Sequence, residues 1–280
     1  MWAGVHTALV TPFADDRLDL AAYEVLVRRQ VQGGVHGLVV CGTTGESPTL
    51  ESAERDELLC RTLTLANGIP VTMGVGTNAT RSTVANVERA KSLGAHAGLL
   101  VLPYYNKPTP DGLRAHVRAA TAPGLPLVVY HVPGRTAQRL EPSLLAELCA
   151  IPGVVACKEA TGDLIYGQEF LMASRVPCLS GDDFTWLPLM TVGATGVISV
   201  LSNVAPRDTV AVWEAWRAGD ADGARARHLA LQPLVRWLFS STNPVPVKAA
   251  MAAMGLCRAD CRLPLVAGQA PPPELIAGAR

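Results

Sequence analysis

Lysine is scarce in this sequence. Lys91, Lys107, Lys158 and Lys248 are its only four, and arginine supplies the rest of the 24 basic residues. Lys158 closes the apolar run Val154-Val155-Ala156-Cys157. Apolar walls destabilise an ammonium and lower its pKa, and a free amine in a dry pocket attacks a ketone to form an imine. The competing reading is a lysine paired with a carboxylate at a strand end. Lys91 falls on a helix face and Lys107 in a Pro-flanked loop. Lys248, just after Pro246 near a helix start, reads as a surface or interface residue.

Three further groups could cooperate with such an amine. The turn Gly42-Thr43-Thr44-Gly45-Glu46 offers backbone N–H groups for an anion nest, with two hydroxyls as extra donors. It lacks the lysine of a Walker-A loop, so a small carboxylate fits it better than a nucleotide phosphate. A plain Gly-rich turn with a Thr cap is the other reading. Tyr104, Tyr105 and Tyr130 are three of only five tyrosines and read as strand-end residues. A phenol supported by a hydroxyl chain shuttles protons, although rim packing accounts equally for a lone tyrosine. Arg135, in Val132-Pro133-Gly134-Arg135-Thr136, sits on a stiff loop just past Tyr130, where a guanidinium suits bidentate capture of a carboxylate. A surface arginine is the alternative. His131 is expected to hydrogen-bond locally.

These groups need a scaffold, and the chain repeats one unit eight times. Short apolar runs at 5–10, 38–41, 71–75, 99–102, 127–130, 154–157, 177–179 and 197–200 are each followed by a polar or Gly-rich turn and then a helical pattern. The runs are continuously apolar, as in parallel strands buried on both faces. The intervening spacing predicts helices over 20–32, 52–66, 82–93, 111–120, 141–150, 164–173, 184–192 and 206–218. Ser82 is a plausible N-cap, and Gly94 a natural C-cap, for the third. Eight alternating pairs argue for a (β/α)8 TIM barrel, whose functional residues lie at the C-terminal strand ends. No G-x-G-x-x-G follows the first run, which weakens an open doubly wound sheet. Residues 1–220 then form the catalytic barrel, and 221–280 a C-terminal helical segment packed on it. That segment reads as a helix over 221–239, interrupted by Pro233, and a short one over 247–254. Pro271-Pro272-Pro273 opens a loosely held tail.

Composition narrows the function classes. Apolar residues make up 49% of the 280-residue chain, enough for a large core. Lys+Arg and Asp+Glu both number 24, so no global field attracts nucleic acid or an anionic membrane. The uncharged stretch 184–206 is long enough to span a bilayer, but its Pro, Gly and Asn residues favour a buried helix followed by a buried strand. No basic region precedes an apolar run near the start. Seven cysteines without a C-x-x-C pair point to buried reduced thiols in a cytoplasmic protein. Six scattered histidines form no metal motif, so no metal is expected.

Together the strings GTTGES at 42–47, PYYNKP at 103–108, YHVPGRT at 130–136, KEATG at 158–162 and SGDD at 180–183 resemble, in order, the dihydrodipicolinate synthase/N-acetylneuraminate lyase family of class I aldolases. The likeness runs from Val10-Thr11-Pro12-Phe13 to the 243–248 stretch. The resemblance implies a TIM barrel with a C-terminal helical extension, a homotetramer or homodimer, and no cofactor beyond a covalent Schiff base with pyruvate. It gives Lys158 the Schiff base and makes Tyr130 the proton donor and acceptor. Thr43 and Tyr105 complete a relay, with Tyr105 reaching into a neighbouring subunit's site. Thr44, Gly181 and the backbone at Ile198 contact substrate, and Arg135 binds the carboxylate of an aldehyde partner. The implied reaction condenses pyruvate with L-aspartate 4-semialdehyde to 4-hydroxy-tetrahydrodipicolinate, in lysine and diaminopimelate biosynthesis. A sibling aldolase acting on a sugar-derived 2-oxo acid is the main alternative, and a non-catalytic metabolite-binding regulator the other.

Overall fold

A computed structural model describes residues 1–279. Its strands are β1 (Gly4–Ala8), β2 (Phe13–Ala14), β3 (Arg17–Leu18), β4 (Gly37–Val40), β5 (Val71–Gly74), β6 (Ala97–Val101), β7 (Leu127–His131), β8 (Val154–Glu159), β9 (Cys178–Ser180) and β10 (Gly196–Ser199). Eight of them close into a barrel in the order β1-β10-β9-β8-β7-β6-β5-β4, while β2 and β3 form a small antiparallel hairpin. The helices are α1 (Leu20–Gln32), α2 (Ser52–Leu65), α3 (Thr80–Ser92), α4 (Pro110–Thr121), α5 (Pro133–Thr136), α6 (Pro142–Cys149), α7 (Leu164–Ala173), α8 (Trp186–Thr191), α9 (Pro206–Arg217), α10 (Ala221–Leu238) and α11 (Val245–Ala253). This is the (β/α)8 barrel with C-terminal helices that the repeat of apolar runs predicts.

The chain folds as two compact units. One comprises Met1–Ala3 and Thr72–Ile198. Its strands are buried on both faces, and Leu100, Val128, Val129, Ala156, Cys157 and Leu179 are fully enclosed. Each large apolar side chain removed from water stabilises the fold by about 1.5–3 kcal/mol. The second unit comprises Gly4–Val71 and the chain from Ser199 onward. It packs Leu26, Val27, Leu58, Leu59, Leu238 and Met251. A polar chain also crosses its core: Ser202 Oγ donates to Thr7 Oγ1 at 2.9 Å, and Thr7 Oγ1 donates to Gln30 Oε1 at 2.8 Å. The uncharged stretch at 184–206 contains α8 and β10, both mostly buried, joined through an exposed turn at 191–193. Among the described residues, no helix is long and apolar enough to cross a membrane.

Several local expectations are corrected. Ser82 is not an N-cap, because α3 already begins at Thr80. Thr77 closes the preceding turn instead, its Oγ1 accepting from the Ala79 N–H at 3.1 Å. Pro233 does not interrupt α10, which runs unbroken from Ala221 to Leu238. A proline removes one N–H and displaces the carbonyl four residues earlier. Here Pro233 and Leu229 both lie on the exposed side, where water can satisfy that carbonyl. Of the seven cysteines, all free, Cys60 is exposed and Cys257 and Cys261 are half-buried, so the expectation of buried thiols fails at these three.

Candidate active site

Lys158 and Tyr130 meet on adjacent strands. They are direct partners in the parallel β7–β8 register, as are His131 and Glu159 one step further. Directly opposed residues share a sheet face. Lys158 is accordingly 7% exposed, with Nζ 4.2 Å from the centroid of the Tyr130 ring. The strand runs on through Lys158 and Glu159, two residues beyond the apolar run, because both pair with β9. Gly181 follows β9, and its N–H donates to the Glu159 carbonyl at 2.6 Å. Ile198, on β10, is one residue past the Val197–Ser180 pairing, at the same end of the strands as Gly181.

Two buried side chains follow this pair on the same strands, and the first, Glu159, was not singled out from the sequence. Glu159 is buried, which pushes its carboxyl above the usual range, and its Oε1 accepts from the Thr161 N–H at 2.6 Å. His131 does not hydrogen-bond locally as expected: neither ring nitrogen has a partner. Its ring stacks on Tyr166, with centroids 5.5 Å apart. Burial, helped by the Arg139 cation, lowers the His131 pKa to about 4 and keeps the ring neutral.

Tyr105 and Arg135 lie on loops of the same unit. Tyr105 stands beyond the end of β6, not at a strand terminus, with φ +71° and its ring 88% exposed. Arg135 is exposed on the single helical turn α5, which Pro133 opens. Among the described residues, no group of three His, Cys, Asp or Glu side chains could hold a metal ion.

In the other unit, the turn carrying Thr43 and Thr44 closes on itself through three of its amides. Gly45 and Ser47 N–H donate to the Gly42 carbonyl, and Glu46 N–H donates to the Thr43 carbonyl. These three amides therefore form no open nest, and the two hydroxyls are the turn's distinctive polar groups. Thr44 Oγ1 accepts from Asn243 Nδ2 at 2.9 Å, which leaves its own proton free to be donated elsewhere. Lys248 is not a surface or interface residue. It is fully buried, and its Nζ donates to Glu46 Oε1 at 2.6 Å and to the Thr11 carbonyl at 2.8 Å. One sequence signal could have found it: Lys248 is the only charged residue in α11.

Comparison with known proteins finds relatives of this chain. A sequence profile of the dihydrodipicolinate synthetase family covers residues 1–270. The chain is similar to the 4-hydroxy-tetrahydrodipicolinate synthase of Sorangium cellulosum, at 48% identity over 276 residues, covering 96% of this chain and 92% of that one. A dihydrodipicolinate synthase structure from Thermotoga maritima superposes with a TM-score of 0.95 at 42% identity, covering 99% of this chain and 97% of that chain. A dihydrodipicolinate synthase from Acinetobacter baumannii, solved with pyruvate bound, superposes with a TM-score of 0.92 at 39% identity, covering 95% and 94%.

Proposed function

The chain belongs to the dihydrodipicolinate synthetase family, and from that premise we propose that it condenses pyruvate with L-aspartate 4-semialdehyde to give 4-hydroxy-tetrahydrodipicolinate, the lyase step of lysine and diaminopimelate biosynthesis. One observation carries the reading: the single buried lysine of the β7–β8 pair holds its amine over the Tyr130 ring. The Tyr130 ring thereby lies beside the nitrogen on which the Schiff base would form.

In this reading Lys158 Nζ attacks the ketone carbon of pyruvate, and water leaves to give an iminium. The iminium withdraws electrons, so the methyl carbon loses a proton and becomes an enamine nucleophile. That carbon attacks the aldehyde, forming the new C–C bond. The substrate amine then adds to the imine carbon, closes the ring and releases Lys158. Tyr130 donates and accepts the protons, and Thr43 and Tyr105 relay them. The 88% exposure of Tyr105 supports a relay completed across a subunit interface in a homodimer or homotetramer. Thr44 and the backbone at Ile198 hold the pyruvate carboxylate. Gly181 leaves room beside Lys158, and exposed Arg135 receives the carboxylate of the aldehyde. No external cofactor enters these steps, and the work is cytoplasmic. A coupled assay with pyruvate plus aspartate semialdehyde, run beside a panel of 2-oxo sugar acids, tests the reading. Turnover confined to a sugar acid would overturn it.

A further inference from the structure

Two residues of the Thr43–Thr44 turn and its flanks sit in a conformation that side chains avoid. Cys41 has φ +53° and Glu46 has φ +55°, both left-handed and neither glycine. Such geometry persists only where the surroundings over-determine it. Here the surroundings come from the far end of the chain. Glu46 Oε1 accepts from Lys248 Nζ at 2.6 Å, and Oε2 accepts from the Arg262 N–H at 2.9 Å. Lys248 also donates to the Thr11 carbonyl, and Thr11 Oγ1 donates to the Gly45 carbonyl at 2.8 Å. The Lys248 ammonium lies 4.4 Å from the centroid of the Phe13 ring, with no exposed surface. The left-handed end of the turn is thus tied to one buried ion pair.

We propose that Glu46 and Lys248 are positioning residues, whose ion pair holds the left-handed end of the turn and thereby fixes where the Thr43 hydroxyl is presented. Buried ion pairs are weak contributors to stability compared with packed apolar groups. A role in orientation accounts for keeping a fully desolvated lysine on the otherwise uncharged helix α11. The inference rests on the reading of Thr43 as a relay hydroxyl.

A double-variant cycle tests it. Glu46→Gln keeps the shape of the side chain and removes its charge. It should lower kcat by roughly 10- to 100-fold, as expected for a hydroxyl displaced by a fraction of an ångström to one ångström. KM for pyruvate should change much less, and borohydride should still trap the pyruvate adduct on Lys158. In a Thr43→Val background the same substitution should cost less than about 2-fold, because its effect passes through that hydroxyl. Losses that multiply in the double variant, or an unchanged kcat in Glu46→Gln, overturn the positioning role. Full activity in Thr43→Val alone removes the relay reading, and the inference with it. Should Glu46→Gln fail to fold, Glu46→Met combined with Lys248→Met replaces the pair by apolar groups of similar length and enters the same cycle.

Discussion

Tyr130 faces Lys158 directly because β8 carries one more residue than β7 across their pairing. Leu127 pairs with Val154, yet Val128 pairs with Ala156, so Val155 is passed over and every later partner moves by one. Without that shift Tyr130 would oppose Cys157. Side chains alternate across a sheet with a period of two, so a one-residue slip would turn Lys158 to the other face.

Gly181 lies against the lysine stem. A Cβ placed on it would stand 2.8 Å from Lys158 Cε and 2.5 Å from Ala160 Cβ. Gly181→Ala should therefore push Lys158 off its position and slow formation of the trapped pyruvate adduct by about 10- to 100-fold, with a loss of about 1–3 kcal/mol in stability. A mass-spectrometric time course under borohydride reads the first effect and urea unfolding the second. Adduct formation at the parent rate would show that the stem has room to spare.

Borohydride with pyruvate should add a reduced pyruvyl group to the peptide containing Lys158. Lys158→Ala should lose the adduct and still fold, since removing a pocket amine leaves little of the core unfilled. Modification mapped to Lys107 or Lys248 would overturn the assignment. Lys248 is already engaged by Glu46 and sealed from solvent.

Arg135→Ala should impair use of aspartate semialdehyde and leave the pyruvate adduct intact. Loss of one charge-assisted bidentate contact costs on the order of 2–4 kcal/mol in kcat/KM, or about 30- to 1000-fold. An unchanged kcat/KM would mean that the aldehyde's carboxylate is held elsewhere.

His131 should make the protein acid-sensitive. Its folded pKa is lowered from 6.5 to about 4 by burial. Between those values the unfolded chain binds a proton that the fold rejects, so stability falls as pH drops from about 6.5 to about 4 and levels off below. The shift corresponds to about 3 kcal/mol. His131→Phe keeps a ring to stack on Tyr166 and should lack this component. Urea unfolding across pH 4–7 should give curves for parent and variant that diverge in that window, and parallel curves would refute the assignment.

Much of the scaffold was legible because its signals are local. Eight recurring apolar runs read as strands buried on both faces, and that pattern argues for a parallel barrel over an open sheet. Helix α7 runs from Leu164 to Ala173 as its periodicity predicts. The boundary error at Ser82 arises because α3 starts two residues earlier, after a turn that Thr77 closes, and the one at Pro233 because solvent can satisfy the displaced carbonyl. Lys158, Tyr105, Tyr130, Arg135 and the Thr43–Thr44 pair stood out as chemical groups in or near the turns after apolar runs, and the family strings added Gly181, Ile198 and the individual roles. What the sequence by itself determined was this alternation and the identity of the polar groups on it. Only the tertiary structure decided which of them meet. The extra residue at Val155 sets the Tyr130–Lys158 register, and Lys248 reaches a carboxylate 202 residues away. Both depend on long-range packing and hydrogen bonding, which leave no periodic trace in the chain.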